Sequence, residues 1–263
     1  MPGSDLALLL DAAKEAGKIA LAAFGNAAGI RHKEDGQGPV TDTDLAIDLF
    51  LRERLLEARP DYGWLSEERE DDRARLAHER VFIVDPIDGT RAFIRGDPGF
   101  AISLAVAAGG RATAGVIHLP ARRTTYAARA GGGATRDGRP IRASARRSPD
   151  GARVLGPRNI LAAEHWKSPP PRLVRHVRSS LAWRMALVAE GAFDAMLTFR
   201  PAWEWDIAAG DVICREAGAR VTDRQGRPLS FNRPAPRVPG VIAAPPDLHD
   251  ALLERLHPEG FED

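Results

Sequence analysis

The chain has 263 residues, of which 44% are hydrophobic and 28% are charged, and its formal net charge is +1. This length suffices for one large domain or two modest ones, and the near-neutral charge gives no reason to expect nucleic acid or an anionic membrane as a partner. A single cysteine, Cys214, excludes an intrachain disulfide and any cysteine-rich metal site.

The N-terminal segment predicts an amphipathic helix and not a signal peptide. Apolar residues recur at helical spacing over residues 4–24, Ser4 stands where a cap is expected, and acidic residues interrupt the apolar ones. No stretch approaches the roughly 18 uninterrupted apolar residues of a membrane span. We therefore expect a cytoplasmic protein without a membrane span, in a reducing compartment.

Helical and strand-like segments follow one another along the rest of the chain. The first part predicts a helix after Thr41, a short strand over residues 63–68, a buried strand over residues 81–85, and an antiparallel meander over residues 101–141 with a turn at Asp137-Gly138. The Pro-, Ser- and Arg-rich stretch 144–171 is the expected domain boundary. Beyond it, strands and helices alternate, which favours an α/β half after an α+β N-terminal half.

Two aspartates, Asp85 and Asp88, follow the buried strand. Pro86 cannot donate a hydrogen bond to a sheet, so the strand is expected to end near Asp85. Gly89 allows a tight turn and Thr90 is expected to cap a short helix, so the amides of these two residues would face a phosphate. Two acids this close repel unless one is protonated or a divalent cation lies between them. Oxygen ligands suit Mg²⁺, and a substrate phosphate would complete its coordination shell. Taken alone, these residues fit a solvated Asp-Pro turn followed by an Asp N-cap equally well.

Further acidic residues occur at the ends of predicted elements: Asp42, Asp44, Glu67, Glu68 and Asp206. Taken alone, Asp42, Asp44 and Asp206 are most simply helix N-caps. Glu68 and the acids that follow it as far as Asp72 are most simply a solvated charge run.

Four motifs, in this order and spacing, resemble the inositol monophosphatase superfamily of lithium-sensitive, Mg²⁺-dependent phosphatases: T-D-T-D (41–44), S-E-E (66–68), D-P-I-D-G-T-x-x-F (85–93) and W-D-I-A-A-G (205–210). The resemblance covers nearly the whole chain. It implies a layered α/β/α/β/α sandwich with the active site between two domains. Residues 1–145 would form an α+β domain with most metal ligands, and residues 146–263 an α/β domain that completes the site. It also allows a homodimer, since dimers are common in the superfamily.

Two to three Mg²⁺ ions are the cofactor that the resemblance implies. One ion would bind Glu67, Asp85 and the Ile87 carbonyl, and a second would bind Asp85, Asp88 and Asp206. Four carboxylates balance the charge of two Mg²⁺ ions, so the site is best satisfied when it is loaded.

Hydrolysis by a metal-activated water is the mechanism that the resemblance implies, without a covalent intermediate. Asp44, Glu67 and Thr90 would hold and orient that water. The substrate phosphate would bind at Asp88, Gly89, Thr90 and Asp206.

The expected substrate is adenosine 3′,5′-bisphosphate, and inositol 1-phosphate is the alternative. The segments 66–68, 179–181 and 204–206 are more similar to the CysQ-type 3′(2′),5′-bisphosphate nucleotidases than to the inositol monophosphatases. The chain departs from the Gly-Ser-Ser-Leu-Lys of those nucleotidases, because Arg178 and Ala182 stand at its two ends. Fructose 1,6-bisphosphate is a distant third.

Four residues are candidates for the pocket that binds the rest of the substrate: Arg178, Ser180, Trp203 and Glu204. Trp203 or Trp205 would stack on adenine, and Arg178 or Arg184 would meet a 5′-phosphate. The simpler interpretation is that the tryptophans are core residues and the arginines a solvated helix face. A non-catalytic phosphate- or RNA-binding module is the alternative from another class, and only the basic stretch 172–178 supports it.

Overall fold

Residues 4–33, 38–71 and 73–257 are described by the computed structural model of the chain, and Asp72 lies outside them. The helices in these ranges are α1 (Asp5–Ala23), α2 (Asp42–Ala58), α3 (Thr90–Ile94), α4 (Leu181–Ala189), α5 (Glu204–Glu216) and α6 (Pro246–Leu253). None of these helices combines the length and the apolar character that crossing a bilayer requires.

The strands of the described ranges form two larger sheets and two short ribbons. In chain order they are β1 (Arg31–His32), β2 (Pro39–Val40), β3 (Gly63–Ser66), β4 (Arg80–Asp88), β5 (Ala101–Ala108), β6 (Arg111–Leu119), β7 (Thr124–Arg129), β8 (Ala134–Arg136), β9 (Arg139–Pro140), β10 (Arg153–Leu155), β11 (Val174–His176), β12 (Ala195–Thr198), β13 (Ala202–Trp203), β14 (Arg220–Thr222), β15 (Arg237–Val238) and β16 (Val241–Ala244).

The two larger sheets differ in strand direction. One sheet has the order β3-β4-β5-β6-β7-β8-β9, in which β3 and β4 are parallel and every later pair is antiparallel. The other has the order β11-β10-β12-β16-β14, with β10 parallel to both its neighbours and β16 antiparallel to both of its own. The ribbons are β1-β2 and β13-β15. The first sheet therefore contains the predicted antiparallel meander.

Helices and sheets alternate in five layers. Helices α1 and α2 cover one face of the seven-stranded sheet with residues such as Leu9 and Leu51. Its other face packs on α4 and α5 through Met185 and Ile213, and these helices also contact the five-stranded sheet. Helix α6 covers the far face of that sheet with Leu252. This confirms the predicted α/β/α/β/α sandwich.

Strand β4 lies between two apolar cores, one on each face of the seven-stranded sheet. Successive side chains of a strand point to opposite faces, so Phe82 and Val84 enter the core beneath α1 and α2, while Val81 and Ile83 enter the core beneath α4 and α5. All four are fully buried. A strand that is buried on both faces must be apolar at every position, which is why this segment was recognisable in the sequence.

The predicted end of β4 is wrong. The strand does not stop near Asp85 but runs to Asp88. Its ladder with β5 shifts register between Asp85 and Asp88, and Pro86 lies in that irregular section, where the sheet requires no N–H donor. The register shift falls at the point where the acidic side chains of the strand begin.

Other predicted boundaries agree with the structure. Helix α1 begins after Ser4, whose hydroxyl accepts a hydrogen bond from the Ala7 N–H at 3.3 Å. Asp137 and Gly138 join β8 to β9 with φ values of 50° and 76°, as a two-residue hairpin turn requires. Cys214 is fully buried in α5.

The proposed domain boundary at residue 145 falls between β9, the last strand of the seven-stranded sheet, and β10 of the five-stranded one. Helices α4 and α5 come from the C-terminal half and pack on both sheets, so the two halves share one layer. The division into two domains stays a prediction.

A buried arginine ties the two halves together beside the acidic segments. Arg75 is 2% exposed, and its guanidinium donates to both carboxylate oxygens of Asp71, at 2.9 and 2.6 Å. It also donates to Asn232 Oδ1 at 2.6 Å and to the Arg233 carbonyl at 2.9 Å. The amides of Asn232 and Arg233 in turn donate to Glu204 of α5.

We expect Arg75→Met to lower the free energy of unfolding by about 3 kcal/mol, because it leaves a carboxylate and two oxygen acceptors without their shared donor. Urea unfolding followed by circular dichroism measures the change. Arg54→Met, at an exposed position of α2, is the control and should stay within about 0.5 kcal/mol of the parent protein. Equal losses for the two variants would contradict the role of Arg75.

Candidate active site

Asp85 is the buried centre of the candidate site. It lies on β4, is 1% exposed, and neither of its carboxylate oxygens has a hydrogen-bond partner in the described part of the chain. Burial, followed by the negative charges of Glu67, Asp88 and Asp206, raises the pKa of Asp85 well above its usual range. A buried carboxylate without a donor is costly, so its surroundings fit a cation better than they fit the bare acid.

Asp88 joins β4 to the start of α4. Its Oδ2 accepts hydrogen bonds from the Ser180 hydroxyl and from the Ala182 N–H, both at 2.6 Å. Ser180 is the N-cap of α4 and also accepts from the Trp183 N–H. Burial raises the pKa of Asp88, and these donors oppose the rise. The contacts hold Asp88 at the positive end of a helix dipole, which favours the ionised carboxylate.

Asp206 reaches the same point from α5. It is not the N-cap of that helix, as its position alone suggested, because Trp203 occupies the cap and Asp206 lies in the first turn. One oxygen from each of Asp85, Asp88 and Asp206 lies within 4.8 Å of the others. Burial, then Asp88 and Glu67, raises the pKa of Asp206. The described residues therefore bring three of the predicted ligands to one cation-sized cluster.

Glu67 and Glu68 share a lysine. The Lys33 ammonium donates to Glu67 Oε1 at 2.8 Å and to Glu68 Oε1 at 2.9 Å. Burial lowers the pKa of Lys33, but the two carboxylates outweigh burial and the net effect is a raised pKa. The side chain of Glu68 is only 2% exposed, so the interpretation of Glu68 as part of a solvated charge run is wrong. Burial, then the charge of Glu67, raises the pKa of Glu68 to about 7.

Asp44 and Thr90 meet on the other side of the cluster. Asp44 is not an N-cap, and neither is Asp42: Thr41 caps α2, and its amide and hydroxyl both donate to Asp44 Oδ2. The Thr90 hydroxyl lies 3.2 Å from Asp44 Oδ1 and 3.1 Å from the Ile87 carbonyl, the two acceptors available to its proton. Burial raises the pKa of Asp44, which is fully buried.

Gly89, and not Thr90, is the N-cap of α3, so the predicted cap is wrong by one residue. Its φ of +98° is a conformation that residues with a Cβ rarely adopt. Because Gly89 holds the cap position, the Thr90 hydroxyl is available to Asp44. A cavity of about 340 Å³ opens above this turn. Its lining includes Glu67, Asp85, Ile87, Asp88, Gly89, Thr90 and Asp206. The predicted metal and phosphate residues thus line a single cavity.

A larger cavity of about 770 Å³ meets the first one at Glu67. Trp203 and Trp205 stack in its wall with ring centroids 4.7 Å apart, and Arg237 lies 4.7 Å from the Trp203 centroid. Trp205 is buried, as the core interpretation expected, whereas Trp203 is partly exposed. Trp203 is therefore in a position to contact a substrate.

The other pocket candidates lie elsewhere. The Arg178 guanidinium rests 5.5 Å from both the Trp183 and the Phe193 ring centroids, and Arg178 lines neither cavity of the site. Glu204 is fully buried, and its oxygens accept backbone N–H groups of residues 232 and 233 at 2.7 and 3.0 Å. Burial raises the pKa of Glu204 to about 7. Arg178 thus packs on aromatic rings, and Glu204 binds loop amides. Ser180 donates to Asp88 and does not line either cavity.

We expect Ser180→Ala to lower the free energy of unfolding by about 1 kcal/mol through loss of the helix cap. It should also weaken metal binding, because Asp88 loses a donor that fixes its orientation. Thermal unfolding with and without Mg²⁺ measures both effects. Ser180→Thr keeps the hydroxyl and should retain most of the stability and most of the metal binding. A Ser180→Ala protein with unchanged stability would contradict the capping role of Ser180.

Sequence reasoning missed three features of the site. Lys33 is one, although it is one of only four lysines in an arginine-rich chain. A second is Asp48 of α2, which accepts hydrogen bonds from the Ser66 hydroxyl and from Arg69, each at 2.5 Å, and so fixes the end of β3 before Glu67. The third is a pair of arginines that line the smaller cavity, Arg91 in α3 and Arg95 at the C-cap of that helix. No local pattern in the sequence marks these contacts.

Comparisons with known proteins agree with this geometry. Residues 4–260 match the model of the inositol monophosphatase family. An inositol-1-monophosphatase from Rhizobium meliloti (strain 1021) is 34% identical over 237 residues, which cover 84% of this chain and 86% of that protein. A histidinol-phosphatase from Mycobacterium tuberculosis is 34% identical over 271 residues, which cover 98% of this chain and 99% of that protein.

Two further proteins extend the comparison. A 3′(2′),5′-bisphosphate nucleotidase CysQ from Aggregatibacter actinomycetemcomitans is 29% identical over 233 residues and 86% of each chain. The solved structure of a Thermotoga maritima IMPase matches with a TM-score of 0.81 at 28% identity, covering 95% of both chains. The predicted resemblance is confirmed. The chain belongs to the inositol monophosphatase family, and it is a phosphatase of that family.

Proposed function

We propose that this phosphatase hydrolyses a small phosphomonoester with Mg²⁺ as its cofactor. The observation that carries the proposal is the buried carboxylate of Asp85, which has no described donor and stands beside Asp88 and Asp206. Oxygen-only ligands of this kind suit a small, hard divalent cation that also contacts substrate phosphate. Glu67 and the Ile87 carbonyl line the same cavity and would complete the binding set.

In this proposal Asp44 and Thr90 position the attacking water. The Thr90 proton is directed to Asp44 or to the Ile87 carbonyl, so the Thr90 oxygen can accept a hydrogen bond from that water. Asp44 is the adjacent group to receive the proton, and burial has already raised its pKa toward the useful range. The amides of Gly89 and Thr90 would donate to the non-bridging phosphate oxygens. When bound, Mg²⁺ supplies positive charge to the phosphate oxygens and lowers the pKa of nearby water.

Adenosine 3′,5′-bisphosphate remains the first substrate to test, with inositol 1-phosphate as the alternative. Trp203 and Trp205, the two residues predicted to stack on adenine, both line the larger cavity, which supports the nucleotide. Because the two rings stack on each other and Arg237 lies over Trp203, the adenine would contact the edge of the Trp203 ring. The relatives named above add histidinol phosphate as a third compound. A homodimer is likewise a prediction, which gel filtration with light scattering would test.

The experiment is inorganic phosphate release from these three compounds in Mg²⁺ and in EDTA, for the parent chain and for Asp88→Asn. We expect release only with Mg²⁺ and a loss of about 10³-fold in kcat/KM for the variant. A preference of tenfold, about 1.4 kcal/mol, would identify the substrate. Undiminished activity of Asp88→Asn, or activity in EDTA, would overturn the proposed site.

A further inference from the structure

We propose that Arg91 and Arg95 form a cationic rim that binds a second anionic group of the substrate, apart from the phosphate that is hydrolysed. This inference rests on the proposed function and assigns one part of its specificity. Arg91 lies in α3 and Arg95 is the C-cap of that helix, and both line the same 340 Å³ cavity as Asp85, Asp88 and Asp206.

The two arginines of the rim lie at the solvent-exposed edge of the cavity, whereas its acidic residues are buried. Asp85, Asp88 and Thr90 are all buried, whereas Arg91 and Arg95 are exposed. Residues four apart lie on one face of a helix, so these two side chains stand next to each other. The other face of α3 carries Ala92 and Phe93 into the core, which fixes the arginines on the cavity side. If the phosphate to be hydrolysed binds at the buried residues of the cavity, the rest of the substrate would therefore lie next to Arg91 and Arg95.

The charge on the rim is not neutralised by the surrounding chain. Within the part of the chain that the structure describes, no ion pair or hydrogen bond involves the Arg91 or Arg95 guanidinium. Among the other cations that line the two cavities, Lys33 pairs with Glu67 and Glu68, and Arg69 pairs with Asp48. Arg237 lies over the Trp203 ring, and Arg73 lines only the larger cavity. Two adjacent guanidinium groups offer paired N–H donors, which match a phosphate or carboxylate.

The chemistry of the rim separates the candidate substrates. Adenosine 3′,5′-bisphosphate carries a second phosphate that would meet Arg91 and Arg95. Inositol 1-phosphate offers only hydroxyl groups at that place, and histidinol phosphate offers a cation, which two arginines would repel. The rim therefore favours a bisphosphate over a monophosphate of the same skeleton, whichever skeleton the larger cavity accepts.

The test compares two matched pairs of compounds in Mg²⁺: adenosine 3′,5′-bisphosphate with adenosine 3′-phosphate, and inositol 1,4-bisphosphate with inositol 1-phosphate. For each pair the readout is the ratio of the two kcat/KM values. The proteins are the parent chain, the double variant Arg91→Gln/Arg95→Gln, and Arg54→Gln as an exposed-arginine control on α2. We expect a ratio of about tenfold or more in at least one pair, and a fall toward one in the double variant, mainly through KM.

The outcomes keep the two proposals apart. A parent ratio near one in both pairs, or a ratio that the double variant retains, would overturn the rim and leave the proposed phosphatase activity standing. An equal fall in Arg54→Gln would also overturn it, because it would indicate a general effect of surface charge. If histidinol phosphate releases phosphate and none of these four compounds does, the rim is overturned while the proposed phosphatase activity stands. If neither histidinol phosphate nor any of the four releases phosphate, both proposals fail.

Discussion

Asp85→Asn is expected to reduce Mg²⁺-dependent phosphate release by about 10³-fold or more, while removing the stabilisation that Mg²⁺ gives to the fold. Asp85 is the buried carboxylate at the centre of the proposed cation site, and neither of its oxygens has a described hydrogen-bond partner. An amide keeps the shape but cannot supply the negative charge. Phosphate release and thermal unfolding, each with and without Mg²⁺, measure the two effects.

Without a metal, the ionised carboxylate of Asp85 should destabilise the fold instead of stabilising it. Because the pKa of Asp85 is raised above its ordinary value of 3.8, this group contributes stability below pH 3.8 that is lost as the pH rises through the higher folded pKa. Asp88 and Asp206 shift in the same direction and add to the trend. Stability in EDTA should therefore fall from about pH 4 upward, and Asp85→Asn should flatten this fall.

Asp211→Asn is the matched control for Asp85→Asn. Asp211 is also a buried aspartate with a raised pKa, caused by burial, but it is paired with Arg215 at 2.9 Å and lies outside both cavities of the site. We expect it to lose stability equally with and without Mg²⁺, leaving the Mg²⁺ effect intact. If Asp85→Asn kept both the Mg²⁺-dependent rise in melting temperature and its activity, the assignment of Asp85 would be wrong.

Asp44→Asn and Thr90→Val are each expected to lower kcat by about 10²- to 10⁴-fold with little change in KM. The two side chains are joined at 3.2 Å, and the proposal gives them one task, to orient a water and receive its proton. Residues that act as a unit are not additive, so the double variant should be no worse than about threefold below the poorer single variant. Steady-state kinetics on one substrate measures all three.

Thr90→Ser is the control for this pair, because it keeps the hydroxyl and should retain most of the activity. Asp44 also completes the cap of α2 with Thr41, so the unfolding of Asp44→Asn must be measured and a stable fraction used for kinetics. Losses that multiply in the double variant would show that Asp44 and Thr90 act independently, which contradicts the proposed shared role.

The ends of elements show where sequence reasoning was weakest. Pro86 predicted the end of β4 too early, since a local irregularity in the ladder tolerates a residue without an N–H donor. Thr90 looked like a cap because of its residue type, yet the preceding glycine takes that position and leaves the hydroxyl to Asp44. The ladder with β5 extended the first element past Pro86, and the backbone conformation of Gly89 set the start of the second.

Residues with long side chains were the hardest to place. Glu68 belonged by composition to a charged run, but Lys33, 35 residues earlier, holds it almost out of solvent. Glu204 and Arg178 were candidates for substrate contact by their neighbourhood in the sequence. Glu204 instead bonds loop amides 28 and 29 residues away, and Arg178 packs over aromatic rings. Sequence spacing does not tell which way such a side chain turns.

The sequence by itself determined the strand that carries Asp85 and Asp88 and the set of acids, because apolar periodicity and short motifs are local properties of the chain. The five layers were predicted from the family resemblance that those motifs carry. Only the tertiary structure decided that Asp206 meets these acids within 4.8 Å, that Lys33 donates to both Glu67 and Glu68, and that Arg91 and Arg95 line the same cavity. Those contacts join segments that are far apart in the chain, and their distances are fixed by how helices and sheets pack together.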